Sequence, residues 1–191
     1  MFIFKHNVLR HKSGFGGMKN MKDFLNLAQE RYSVRQFKDT PIEAKKLEKI
    51  LKAGQCSPTA GNFQPQRIYV VESDGAKRIV NQFTKCMFTA PCALLVCYEM
   101  TEAWKCPLDG YCSGQDEAAI VTTQMMLEAQ DLGLGSLWVR GFDGNAMRDA
   151  LGLPGSQTIC AMLTIGYSAD HAKPAPIHYS RKPLEMMVKK L

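Results

Sequence analysis

The segment DEAAIVTTQMMLEAQDL, residues 116–132, decides how the rest of the chain is read. Ala118, Ala119, Ile120, Val121, Met125, Met126, Leu127 and Ala129 spread around most of the circumference of a helix with 3.6 residues per turn. A helix that is apolar nearly all round is buried on more than one side. In a chain of 191 residues this predicts a central helix shared with a partner subunit. Gly133-Leu134-Gly135 breaks it, and Ser136 to Val139 reads as a strand entering a turn at Arg140-Gly141. Beyond lie a short helix over 144–151 and a buried strand from Thr158 to Tyr167.

Working back toward the N-terminus, residues 20–30 read as a helix with Met21, Phe24, Leu25 and Leu27 on its apolar side. Arg31 to Phe37 alternates as an extended segment. Thr40-Pro41-Ile42-Glu43 announces a helix with Thr40 as cap, Pro41 in the first helical position and Glu43 closing a capping box. Leu47, Ile50 and Leu51 form its stripe, and Gly54 is the expected end. Arg67 to Val71 reads as a strand from its β-branched and aromatic content, 75–83 as a short helix, and Ala93 to Tyr98 as a strand opened by Pro91. Repeated βαβ units and a GxGxxG turn are absent, so the order fits an α+β sandwich and not a dinucleotide-binding fold.

Composition narrows the function classes. The net charge is +6, but residues 1–22 carry five of the positive charges and no acid, leaving the body nearly neutral. That argues against a nucleic-acid binder, whose basic groups cluster on the folded body. Residues 1–17 lack a continuous apolar run and a small-residue cleavage site, so they read as a basic extension, non-native or disordered, ahead of one domain over 18–191. The seven cysteines include no CxxC pair, which speaks against a zinc or iron–sulfur framework. Free thiols suit a reducing cytosol, so a cytoplasmic location is expected. Cys106 and Cys112 flank a loop, but free thiols are expected there and not a functional pair. No run reaches the roughly 18 apolar residues of a membrane span. No Ser/His/Asp arrangement emerges; His171 and His178 sit in a Pro-rich late segment and read as surface residues.

Four constellations carry chemistry. In Arg31-Tyr32-Ser33-Val34-Arg35, side chains at spacing two point the same way, so two guanidiniums and a hydroxyl face one point. That suits a dianionic phosphate, or else is a solvated basic turn. Ser57-Pro58-Thr59-Ala60-Gly61-Asn62-Phe63-Gln64-Pro65 is a structured loop whose Asn62 and Gln64 amides match the alternating acceptors and donor of a flavin edge, or else hold their own turn. At Gly133 to Phe142, a backbone amide of Arg140 or Gly141 is placed to bond a flavin N5, or the glycines only cap and turn the chain. In Tyr179-Ser180-Arg181-Lys182-Pro183, the cations add charge to the same phosphate or form an exposed tail.

Taken in order, these motifs resemble the nitroreductase family over roughly residues 21–188. The likeness rests on the R-x-S-x-R segment at Arg31–Arg35, the Pro58-Thr59-x-x-Asn62-x-Gln64-Pro65 loop and Gly133-Leu134-Gly135-Ser136 after the long helix. It extends to Gly141-Phe142-Asp143, Ile165-Gly166-Tyr167 and Arg181-Lys182-Pro183. The resemblance implies a nitroreductase-like sandwich with a central, mainly antiparallel sheet of four to five strands flanked by helices, in an intertwined homodimer with FMN at each subunit interface. Arg31, Tyr32, Ser33 and Arg35 are the expected phosphate and ribityl contacts. Pro58, Thr59, Asn62 and Gln64 meet the ring, Asn62 from the other subunit; the Arg140-Gly141 backbone lies by N5, and Arg181 returns to the phosphate. The implied activity is ping-pong transfer from NAD(P)H to a small acceptor such as a nitroaromatic, quinone or enone. A dehydrogenase or reductive dehalogenase of the same fold, or an FMN storage protein, stands as the alternative. The stretch Met100–Gly114, with Trp104, Cys106, Tyr111 and Cys112, is the expected substrate-contacting loop. Two positions depart from the family pattern: many members have Trp at Gln66, and many have Gly or Glu at Arg140.

Overall fold

The computed structural model describes residues 23–191; the basic leader and the start of the helix expected at residue 20 lie outside them. Six α-helices and four strands follow in the order α1 (Phe24–Glu30), α2 (Ala44–Gln55), β1 (Gln66–Val71), α3 (Asp74–Phe83), β2 (Cys92–Glu99), α4 (Gly114–Asp131), β3 (Gly135–Val139), α5 (Gly144–Ala150), β4 (Gln157–Gly166) and α6 (Leu184–Met187). Single 3-10 turns occupy Ala60–Asn62 and Pro176–Tyr179.

The four strands form one sheet in the order β1-β2-β4-β3, every neighbouring pair antiparallel. Alternation along β2 sends Leu94 and Val96 to one face and Ala93, Leu95 and Cys97 to the other. The first face packs on α2 through Ile50 and on α4 through Ala118, Val121, Met125 and Ala129. The second packs on Val80 of α3 and Met147 of α5. The α+β sandwich therefore has its sheet buried on both faces, which is why β2 reads as an unbroken apolar run. A bulge in β4 leaves Cys160 without a partner in β2 and turns both Cys160 and Ala161 to the α4 face.

Two local expectations change. The helix after Thr40-Pro41 starts at Ala44, with Glu43 as its cap residue. The Glu43 carboxylate accepts the Tyr167 hydroxyl at 2.7 Å, so it is tied to the end of β4 and does not close a capping box. Gly54 does not end α2: it is buried inside the helix, and a Cβ there would stand 2.9 Å from Met125 Cγ and Sδ. This glycine serves close packing of α2 on α4. Cys106 and Cys112 are both free thiols.

Helix α4 is buried along one side, while Ile120 is 38% exposed. Leu127 lines an open apolar groove of about 520 Å³ with Phe24, Leu27 and Ala53. Among the described residues no helix is long and apolar enough to cross a membrane, and no group of three or more His, Cys, Asp or Glu is placed to hold a metal.

Candidate functional site

The extended segment after α1 lies along the outer edge of β3. Ser33 bridges Ser136 in parallel, and Val34 N–H donates to the Ser136 carbonyl at 3.0 Å. Gly135 makes this approach possible, since a Cβ there would lie 2.7 Å from Val34 Cγ2. The segment then crosses to the end of β4, where Lys38 N–H donates to the Tyr167 carbonyl at 2.8 Å.

The C-terminal stretch folds back onto the same place. His178 Nε2 lies 3.2 Å from the Gln29 carbonyl, its ring packs edge-on to Tyr32 at 6.3 Å, and the Tyr32 hydroxyl donates to the Ala172 carbonyl at 3.4 Å. His178 is thus a clasp between the two ends of the described chain, a role its isolated place in the sequence does not signal. The clasp brings Arg181 beside Arg31. Burial first, and then repulsion from Arg181, holds the Arg31 guanidinium below the usual arginine range. Arg181 Nη1 donates to the carbonyls of His178 and Ser180, and Arg35 Nη1 reaches the Ser33 carbonyl at 3.5 Å. Among the described residues Arg31, Arg35 and Arg181 form no ion pair. Ser136 Oγ, buried next to Ser33, has no hydrogen-bond partner among them. Arg31 and Arg181 near one another without an acid, beside a spare hydroxyl, offer donors that suit a dianion.

The second constellation is a loop under strain. Gly61, Asn62 and Gln64 all have positive φ, at 57°, 58° and 52°. For Asn62 and Gln64 this backbone is uncommon and costs on the order of 1 kcal/mol or more each. Thr59 supports it: its carbonyl accepts Asn62 N–H at 3.0 Å and its Oγ1 accepts Gln64 N–H at 3.1 Å. A deeper support is Glu117, only 2% exposed in the first turn of α4, whose Oε1 accepts the Ala60 amide at 2.6 Å. The side chains of Pro58, Asn62 and Gln64 remain exposed. Glu117 was not singled out from sequence. A buried acid in an otherwise apolar helix was the available signal.

The third constellation ends β3. Arg140 and Gly141 are exposed, and a Cβ on Gly141 would meet nothing within 4 Å, so its backbone stands open. The Met100–Gly114 stretch carries a hairpin: Lys105 bridges Cys112, and Cys106 N–H donates to the Tyr111 carbonyl at 2.8 Å. Its two ends are closed by Ser113 N–H donating to the Trp104 carbonyl at 3.0 Å.

Sheet register sets how these groups relate. Ser33 sits beside Ser136, which aligns with Ile165 and Cys92 at one end of the sheet. The Pro58–Pro65 loop feeds Gln66, which aligns with Tyr98 and Thr158 at the other end and on the opposite edge. From Ser136 to Gln66 the separation is roughly 20 Å along the strands and about 14 Å across them, and Ser33 lies one strand spacing farther out. One chain therefore brings Arg181 to the Arg31–Ser33 stretch, leaves Arg35 two residues on beside Phe88 and His171, and holds Arg140-Gly141 past the far end of β3. It does not bring Pro58, Thr59, Asn62 and Gln64 to them.

An antiparallel sheet buried between two helical layers, with arginines at one sheet edge and a strained amide loop at the other, defines an α+β sandwich. The model for the family described as Nitroreductase matches residues 28–105 and 84–167, and the chain belongs to the nitroreductase family. An NADH dehydrogenase of Thermus thermophilus is 29% identical over 200 residues, covering 87% of this chain and 95% of its own. A nitroreductase family protein of Clostridium difficile 630 superposes with a TM-score of 0.82 at 34% identity, over 87% of this chain and 97% of that one. An FMN-dependent nitroreductase of Clostridium difficile R20291 shares the fold, with a TM-score of 0.65 at 24% identity over 83% of this chain and 98% of that one.

Proposed function

We propose that the protein is a homodimeric, FMN-dependent oxidoreductase that carries electrons from NAD(P)H to a small acceptor such as a nitroaromatic, quinone or enone. The observation that carries this reading is the pairing of Arg31 with Arg181 from the two ends of the described chain, with no acid between them. Like charges repel, and bringing two guanidiniums together while half-burying one is unfavourable unless an anion completes the cluster. A terminal phosphate fits that charge and the planar donors.

The residues present fit FMN. Arg31, Arg35 and Arg181, with the Ser33 hydroxyl and Tyr32, hold the phosphate and ribityl end. The open backbone at Arg140-Gly141 offers an amide to the ring. Asn62 and Gln64, held by Pro58 and Thr59, supply amides to the ring edge from the second chain, because their own chain keeps them at the far corner of the sheet. Exposed apolar side chains at both ends of the described chain support that second chain: Phe24 is 67% exposed, Ile177 79% and Leu184 67%. FMN, when bound, supplies the centre that accepts hydride from the nicotinamide and then reduces an acceptor occupying the same place, so the protein needs no nucleophile of its own. The protein contributes charge at the phosphate, fixed donors at the ring and a space open to donor and acceptor in turn.

Purified protein is expected to show flavin absorption in the visible, or to acquire it on incubation with FMN, and to bleach rapidly when mixed with NADH or NADPH. A colourless protein that takes up no FMN overturns the reading. A flavoprotein that neither donor reduces is a storage protein and overturns the enzymatic part alone.

A further inference from the structure

Arg140 is a cation with no acid to answer it. It stands exposed at the end of β3 with its guanidinium 5.6 Å from the Phe142 ring centroid. Among the described residues it forms no ion pair. Asp143, the nearest acid along the chain, is spent as the cap of α5, accepting the Asn145 and Ala146 amides at 3.0 Å.

The same corner of the molecule receives the Lys105–Cys112 hairpin. The register places both at one end of the sheet: β3 runs out opposite Met162 of β4, and β2, which leads into the hairpin, ends at Glu99 opposite Gln157 at the start of β4. The acids at the hairpin and at the start of α4 are engaged. The Asp109 carboxylate accepts Tyr111 N–H at 3.0 Å, and the Tyr111 hydroxyl donates to Asp116. Tyr111 still leaves its ring 49% exposed. What remains is a lone exposed guanidinium over one aromatic ring, at the end of the sheet from which the hairpin leaves β2.

We propose that Arg140 is a specificity-determining residue that selects acceptors bearing a carboxylate on a planar ring. The inference rests on the flavin site proposed above and deepens it by naming the acceptor class. A guanidinium offers two parallel donors to a carboxylate, and stacking on Phe142 already restricts its rotamers, so less freedom is lost when an anion binds.

The test uses the FMN-loaded protein and two pairs of probes: benzoate against benzamide, read as a shift of the flavin spectrum, and 4-nitrobenzoate against 4-nitrobenzamide, read as turnover. In the wild-type protein benzoate binds about tenfold or more tightly than benzamide, as a charge-assisted hydrogen bond provides. Raising the ionic strength narrows that gap without moving benzamide. In Arg140→Ala the benzoate-to-benzamide preference and the kcat/KM preference for 4-nitrobenzoate both collapse, and Arg140→Lys restores part of each. Equal binding of the two probes by wild type, or a preference that survives in Arg140→Ala, overturns the inference. Protein that takes up FMN but does not discriminate defeats this inference alone; protein that takes up no FMN defeats the flavin reading and this with it.

Discussion

Glu117 shows how much one residue can settle. Its carboxylate takes the Ala60 amide at 2.6 Å while the side chain is 2% exposed, and so fixes the turn from which Asn62 and Gln64 project. Glu117→Ala strands a partly buried donor and opens a void, and is expected to cost about 2–3 kcal/mol of stability and to weaken FMN uptake. Glu117→Gln keeps an acceptor and costs less; urea denaturation and FMN titration of both variants check this. Cys92 carries a pH signature. Burial, and then repulsion from Glu72, pushes its thiol up to about 12 from an ordinary 9.0. The folded state holds this proton more tightly than the unfolded chain. Its contribution is therefore whole below pH 9 and is lost as pH climbs toward 12. The urea midpoint should fall across that window, and the fall should be shallower in Cys92→Ala.

At the scale of elements, the contact between α2 and α4 is governed by the absence of a side chain. Gly54→Ala gains up to about 1 kcal/mol of helix propensity but sets a methyl against Met125 in a filled core, which costs about 1–3 kcal/mol. The net expectation is a lower melting temperature, measured by circular dichroism; a rise would mean that the two helices part without loss. Element positions were largely legible in the sequence because periodicity and turn residues mark them locally. The β2 run, the β4 run and the long α4 appear where apolar residues concentrate. Errors fell where a distant partner overrode a local signal. Glu43 was drawn to Tyr167, and Gly54 was kept inside its helix by Met125. His178 does lie at the surface, and only its contact with Gln29 shows that it also ties the two ends of the described chain.

For the whole molecule, the geometry of the sheet makes a pointed demand. The guanidinium cluster and the amide loop lie at diagonal corners of a single chain, so a shared site needs two chains. Variants Arg31→Ala and Asn62→Ala should each lose FMN-dependent activity. When the two are unfolded and refolded together, activity should return to about a quarter of wild type, since half the randomly assorted dimers carry one intact site. Failure of any recovery, with dimers formed, would place both residues in the same subunit's site and reverse the assignment.

The sequence alone determined the α+β class, the alternation of apolar faces and the list of residue types fit for a phosphate and a flavin edge. Each of these follows from spacing of 2.0 or 3.6 residues and from side-chain chemistry, which act over a few positions of chain. Only the tertiary structure decided which of those residues meet. It joined Arg31 to Arg181 across the described chain, separated both from Asn62, and set Glu117 beneath the strained loop. Those relations come from strand order and register, which depend on how the whole core packs and which no local stretch encodes.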